Sequence, residues 1–127
     1  MKIRILTFVH IIIIFFLSCK NDKTPIFTCV SDLYIKDSVE VGAIANFDFK
    51  VKNTGNEVLK VLNQTCSCEC TFLDIKNVGI KVSDSVIIKG KITAYLNDKG
   101  KSKQTLCTFK TNTKEVFHRL RIHYNVK

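Results

Sequence analysis

Three cysteines at alternate positions, Cys66, Cys68 and Cys70, form the segment with the clearest capacity for chemistry; they are called the cysteine cluster below. Thiolates are soft ligands that suit Cu(I) or Zn(II), and thiols in an oxidising compartment also form disulfides. In an extended strand, residues two apart point to the same side, so the three sulfurs would lie in a row about 6.5 Å apart. A bend would instead bring two or three sulfurs onto one ion.

The rest of the chain offers further ligands and disulfide partners for this cluster. A tetrahedral zinc site takes four ligands, and Cys29, Cys107 or His118 could supply the fourth. His118 and His123 are five residues apart on a predicted strand and face opposite sides, so we do not expect them to share an ion. A Cu or Zn site therefore depends on the cluster cysteines.

Cysteine counting leaves three interpretations of the cluster open. If Cys19 is acylated, five cysteines remain, and an odd number leaves at least one without a partner in the molecule. The first interpretation is a disulfide with Cys107 or Cys29, which would stabilise a small domain by about 2–4 kcal/mol. Such long pairings are favoured here because a bridge within Cys-x-Cys closes a small ring. The others are metal binding and thiol–disulfide exchange, although redox enzymes more often use Cys-x-x-Cys at a helix start.

The N-terminal residues predict export from the cytoplasm. Lys2 and Arg4 precede an apolar run from Ile5 to Leu17, which is typical of a signal peptide. The run is too short for a membrane-spanning helix, which needs about 20 residues. Polar residues follow at once, so we expect cleavage rather than a transmembrane anchor.

The end of this run, Phe16-Leu17-Ser18-Cys19, resembles a lipobox, with Phe16 in place of the more usual Leu. The resemblance implies cleavage before Cys19, with residues 1–18 as the signal peptide, and acylation of Cys19. We expect a lipidated tether over 19–27 and a domain over 28–127. We expect a bacterial lipoprotein anchored in a membrane and facing the periplasm. The outer membrane is favoured, on its inner side, because no acidic run for surface export follows Cys19.

The charge pattern argues against a nucleic-acid partner. The chain has 20 Lys and Arg residues against 11 Asp and Glu residues. Most of the positive charge is lysine scattered along the chain, which is typical of solvated strand faces and protected sheet edges. Nucleic-acid binders instead cluster Lys and Arg and often add stacking aromatic residues.

The domain is predicted to be all-β. Apolar and polar residues alternate with period two, and Asn- and Gly-rich turns separate the alternating segments. About seven short strands are predicted, which suggests a β-sandwich. They are Leu33–Ile35, Phe47–Val51, Val58–Leu62, Phe72–Ile75, Ile88–Leu96, a strand containing Cys107 and Phe109, and Leu120–Val126.

Two motifs carry a resemblance to a known family. Asn-Thr-Gly at 53–55 ends one strand, and Ser-Cys-Glu-Cys-Thr at 67–71 follows the next. Together they resemble the bacterial domain-of-unknown-function family 1573, which is similar to abnormal-spindle and hydin-type immunoglobulin-like domains. Glu69 replaces the family's Gly, Ser83-Asp84-Ser85 replaces a Pro-Gly turn, and Cys66 adds a third cysteine. The resemblance covers roughly Ser31 to Val126 and implies an immunoglobulin-like sandwich without an established reaction.

The expected function is non-enzymatic. The sequence contains no phosphate-binding glycine loop and no recognisable Ser-His-Asp arrangement. We therefore expect an interaction or scaffold module that contacts a membrane through its lipid and binds an envelope protein. A Cu- or Zn-binding protein and a thiol–disulfide exchange partner are the alternatives.

Overall fold

The structure, a computed structural model, describes residues 21–75 and 77–127; the predicted signal peptide and Cys19 lie outside them. The described residues form nine strands and a short 3-10 helix, η1. All seven predicted strands are present, and the two unpredicted ones, β1 and β6, are too short to show alternation. The elements are β1 (Phe27–Thr28), β2 (Asp32–Tyr34), β3 (Ile44–Asn53), β4 (Leu59–Cys66), β5 (Thr71–Asp74), β6 (Gly79–Ile80), β7 (Ser85–Thr93), η1 (Leu96–Asp98), β8 (Ser102–Thr111) and β9 (Phe117–Asn125).

Two sheets pack face to face, as expected for an immunoglobulin-like sandwich. One sheet has the order β1-β3-β7-β5 and the other β2-β9-β8-β4-β6. Neighbouring strands are antiparallel except for β2, which pairs with β9 in parallel. Beyond β2 the chain changes sheets, because Val39 bridges to Val126 and Val41 then bridges to Ala94.

The core lies between the two inner faces that the alternation predicts. Phe49 and Val51 of β3 and Ile88 and Ile92 of β7 are buried from one sheet. Phe109 of β8 is buried from the other sheet, and its ring centroid lies 5.9 Å from that of Phe49. Burial of these side chains is the main stabilising contribution to the fold.

The prediction of a strand from Ile88 to Leu96 is wrong at the C-terminal boundary. β7 ends at Thr93, and Leu96 begins η1, which leads into a turn at Gly100. Gly100 has a φ of 78°, a left-handed conformation that glycine adopts without a steric cost. The turn therefore lies where the sequence predicts it, but the preceding strand is three residues shorter.

The two ends of the sandwich carry different parts of the chain. We call the end formed by residues 24–26 and 53–56 the proximal end, because the chain reaches the sandwich there. We call the end formed by residues 40–44 and 94–101 the distal end; β3 runs from it to the proximal end. In the described ranges, no helix has the length and apolar character required to cross a membrane.

Candidate functional site

The structure pairs four of the five candidate cysteines. Cys66, the last residue of β4, forms a disulfide with Cys107 of the neighbouring strand β8, where the two are direct partners with a Cα–Cα distance of 4.0 Å. Cys68 forms a second disulfide with Cys70. Among the described cysteines, only Cys29 has no disulfide partner. The first bridge is one of the long pairings favoured by the sequence, but the second is the short pairing disfavoured there.

The cluster bends because β4 ends at Cys66 and the chain must cross to the other sheet. Ser67 anchors the start of the crossing, since its N–H donates to the Leu106 carbonyl (2.8 Å) and its Oγ accepts from the Leu106 N–H (3.0 Å). A turn follows, in which the Thr71 N–H donates to the Cys68 carbonyl (3.1 Å). The extended row of three sulfurs is therefore not formed, and Cys68 and Cys70 face each other across the turn.

The two sulfurs of the Cys68–Cys70 bridge have different surroundings. Cys70 is 7% exposed, whereas Cys68 is partly exposed and accepts a hydrogen bond from the Cys70 N–H at 3.2 Å. Cys70 Sγ lies 3.8 Å from the Tyr124 hydroxyl and 3.7 Å from Thr71 Oγ1. The sequence gives no sign of the Tyr124 contact, because the two residues are 54 positions apart.

Cys29 and His118 line one shallow surface cleft, away from the two bridges. Burial raises the pKa of the Cys29 thiol from 9.0 to about 11, so this thiol is protonated at neutral pH. Burial lowers the pKa of His118, whose ring stacks on Phe27 at 4.4 Å. His118 faces inward on β9 and His123 faces outward, so the prediction of opposite faces is confirmed.

A polar cluster that the sequence analysis does not predict lies on the outer face of β2 and β9. Arg121 donates two hydrogen bonds to the Asp32 carboxylate, from Nε at 2.8 Å and from Nη2 at 3.0 Å. His123 Nε2 lies 2.9 Å from the same carboxylate, and its ring stacks on Tyr34 at 4.5 Å. Arg121 holds the pKa of Asp32 well below its usual value, with further contributions from His123 and Ser31.

No ready-made metal site is visible in the part of the chain that the structure describes. In residues 21–75 and 77–127, no group of three or more His, Cys, Asp or Glu side chains is placed to hold an ion. A surface concavity lies instead on the outer face of the four-stranded sheet. Asn46, Asp48, Phe72, Asp74, Lys89 and Lys91 line it.

The fold and the cysteine positions define an immunoglobulin-like β-sandwich with a disulfide-closed turn between β4 and β5. The sequence profile of the family described as "Protein of unknown function (DUF1573)" matches residues 29–126. The chain belongs to this family, as the Asn-Thr-Gly and Ser-Cys-Glu-Cys-Thr motifs predict. A comparison with curated protein sequences finds no significant match.

Solved structures confirm the fold. A protein of unknown function from Porphyromonas gingivalis W83 superposes with a TM-score of 0.69 at 13% identity, over 87% of this chain and 50% of that chain. This chain therefore spans half of the Porphyromonas protein. The ASH/PapD-like domain 7 of human CEP192 superposes with a TM-score of 0.66 at 4% identity, over 87% and 91% of the two chains. At these identities the likeness concerns the fold alone.

Proposed function

We propose that this protein is a lipid-anchored interaction module of a bacterial cell envelope, without catalytic activity of its own. The signal-like residues 1–18 and the lipobox at Cys19 support membrane attachment through acyl chains. A family with an immunoglobulin-like fold supports a binding role, since such folds host many functions and present loops at the ends of rigid sheets. The outer membrane and the periplasm are the proposed location.

The observation that carries this proposal is the place where the chain joins the sandwich. The Thr24 N–H donates to Asn56 Oδ1 at 2.7 Å, and the Asn56 N–H donates to the Thr24 carbonyl at 3.0 Å. Only residues 20–23 separate this anchored point from Cys19, and four extended residues span about 14 Å. With acyl chains on Cys19, the proximal end would lie close to the membrane and the distal end would point away from it.

The distal end offers a surface that suits a protein partner. Ile44, Tyr95 and Leu96 are exposed there, with Leu96 at 71%. Charged residues surround them at the same end: Lys99 is exposed, and Lys101 and Lys127 lie 3.9 Å from Asp98 and 3.5 Å from Glu40. Interfaces of proteins commonly combine an apolar centre with a polar rim. The proposed partner is therefore an envelope protein with an apolar patch bordered by polar residues.

Lipid attachment can be tested directly by labelling with palmitate and by fractionating membranes. The wild-type chain should incorporate label and sediment with membranes, because several acyl chains bind a bilayer far more stably than one. Cys19→Ser should lose the label. Ser18→Gly, which keeps a small residue before the cysteine, serves as the matched control and should keep it. An unlabelled wild-type protein would contradict the anchoring part of the proposal.

A second candidate function is thiol–disulfide exchange at the Cys68–Cys70 bridge. It is favoured by the position of this bridge in a surface turn, with Cys68 partly exposed, rather than between two strands. Metal binding by Cys66, Cys68 and Cys70 together would require both bridges to be reduced. Counting the cysteines that alkylate under mild reduction tests the exchange function: two should react first, both from this bridge.

A further inference from the structure

We infer that exchange at the Cys68–Cys70 bridge is directional: an external thiolate attacks Cys68, and Cys70 leaves as a thiolate stabilised by the Tyr124 hydroxyl. This inference rests on the proposed exchange function and specifies how that function works. It assigns Tyr124 as a positioning residue for the leaving sulfur. It names a dithiol reductant as the reacting partner.

Unequal exposure decides which sulfur is attacked. Attack on a disulfide requires the incoming thiolate to reach one sulfur, so rates depend on access as well as on the leaving group. Cys68 is partly exposed, and the flanking Ser67 and Glu69 are exposed as well. Cys70 is only 7% exposed. Cys68 is therefore the sulfur that an external thiol can reach.

A buried hydroxyl decides how well the other sulfur leaves. Tyr124 is 4% exposed, and Cys70 Sγ at 3.8 Å is the hydrogen-bond partner of its hydroxyl among the described residues. A disulfide sulfur is a weak acceptor, but a thiolate is a strong, charged one, so this hydrogen bond strengthens as the bridge opens. The Thr71 hydroxyl donates to Thr105 Oγ1 at 3.4 Å, which leaves its oxygen, 3.7 Å from Cys70 Sγ, free to accept a later S–H.

The second bridge provides an internal comparison. Cys66–Cys107 links two hydrogen-bonded neighbours of one sheet, and Cys107 is fully buried in the core. An external thiol can reach it only through Cys66, which is partly exposed like Cys68 but packs against the hydrophobic core. The same molecule therefore holds one bridge placed for exchange and one placed to stabilise the sandwich.

The proposed exchange balances as a two-electron transfer. A thiolate of the dithiol forms a bond with Cys68 Sγ, and the Cys68–Cys70 bond breaks with its electron pair on Cys70 Sγ. The second thiol of the dithiol then loses its proton and attacks the dithiol sulfur that is bonded to Cys68. This attack releases Cys68 as a thiolate. Both cysteines take up protons, so the bridge gains two electrons and two protons while the dithiol becomes a disulfide.

The test uses the exported protein purified from membranes in detergent. Dithiothreitol reduction is quenched by alkylation at intervals, and peptide masses give the rate for each bridge. We expect Cys68–Cys70 to open at least about tenfold faster than Cys66–Cys107, because Cys66 and Cys107 are held in two paired strands within or against the hydrophobic core. Tyr124→Phe should slow the opening of Cys68–Cys70 about three- to tenfold, since one hydrogen bond to a charged group is lost, and leave Cys66–Cys107 unchanged. Tyr34→Phe, at an exposed tyrosine (68%) outside the distal end, is the matched control.

A second measurement needs no variant. With reduced glutathione in place of dithiothreitol, a rapid quench should place the glutathione on Cys68 and the alkyl group on Cys70. Glutathione on Cys70, or an unchanged rate in Tyr124→Phe, would overturn the directional assignment while leaving exchange intact. If both bridges opened together and only on unfolding, the exchange function itself would be refuted.

Discussion

Gly55 lies so close to the carbonyl oxygen of Thr24 that a Cβ atom at position 55 would come within 2.3 Å of it. The same Cβ would also meet the Ile26 nitrogen at 2.5 Å. The N-terminal segment therefore crosses directly over the turn after β3, and only glycine leaves it room. This contact gives a physical reason for the glycine of the Asn-Thr-Gly motif, and it fixes where the chain meets the sandwich.

Replacing Gly55 with alanine should displace the N-terminal segment. Because the obstructing atoms are backbone atoms, they cannot move aside like a flexible side chain, and we expect a loss of about 1–3 kcal/mol in the free energy of unfolding. Urea unfolding measures it. Gly79→Ala is the matched control, since its nearest contact would be an ordinary 3.7 Å to Val58 Cγ1. Equal stability of the two variants would contradict the crossing described above.

Asn53 should be among the most sensitive polar residues of the domain. Its side chain is fully buried; Nδ2 donates to the carbonyls of Glu57 (2.7 Å) and Ile80 (3.0 Å), and Oδ1 accepts from the N–H groups of Gly55 (3.0 Å) and Ile26 (3.3 Å). Asn53→Ala would leave several of these backbone groups without partners, at a cost of about 3 kcal/mol or more.

Thermal and urea unfolding of the purified protein measure this effect. The exposed Asn46 provides the control, because Asn46→Ala should change stability by less than about 0.5 kcal/mol, as is usual at the surface. A loss for Asn53→Ala no larger than that for Asn46→Ala would show that the buried amide network contributes little.

Cys29 should be the slowly reacting free thiol of the domain. The rise of its pKa from 9.0 to about 11 lowers its thiolate fraction about a hundredfold at neutral pH, and the thiolate is the reacting form. Iodoacetamide should modify it slowly in the native protein and rapidly in denaturant. Without reductant, peptide masses should show Cys29 as the single alkylated position between residues 29 and 107. Alkylation of Cys66 or Cys107 in that sample would contradict the cross-strand bridge.

The Asp32–Arg121 pair should make stability depend on pH in the acid range. The folded protein holds the pKa of Asp32 below the ordinary value of 3.8, so the unfolded chain binds this proton more tightly. The pair's contribution is therefore present above pH 3.8 and is lost as the pH falls below it. Between pH 6 and pH 2, the free energy of unfolding measured with urea should fall less steeply for Asp32→Asn than for the wild type. Arg121→Gln should reproduce that shallower curve; a wild-type slope in both variants would contradict the assignment.

Alternation along the chain predicted the sandwich because burial on one face of a strand leaves a direct pattern in the sequence. Phe47, Phe49 and Val51 show it in β3, and all three point inward. β1 and β6 escaped prediction because two residues cannot show a period of two. Their pairing depends instead on partners far along the chain: Phe27 of β1 pairs with Asn53, and Ile80 of β6 pairs with Leu59.

A long disulfide between the cysteine cluster and Cys107 was among the predicted pairings, but the choice of Cys66 and the Cys68–Cys70 bridge were not predicted. Two-residue spacing indicates one face only if the strand continues, and β4 ends at Cys66 because the chain must cross to β5. The register that brings Cys66 opposite Cys107 and the fold that brings Tyr124 under Cys70 depend on contacts more than 40 residues apart in sequence. Local patterns carry no information on such contacts.

The central claim, that the distal end binds an envelope protein while the proximal end faces the membrane, is tested most directly by crosslinking in living cells. A photoreactive amino acid replaces Leu96 at the distal end or, as the matched control, Val82, an exposed apolar residue (47%) in the loop between β6 and β7 near Asn53. Illumination should join the position-96 variant to one defined envelope protein, and this product should disappear when Ile44 is also changed to Asp. The position-82 variant should give no protein product. No product from position 96, or the same product from both positions, would contradict the account.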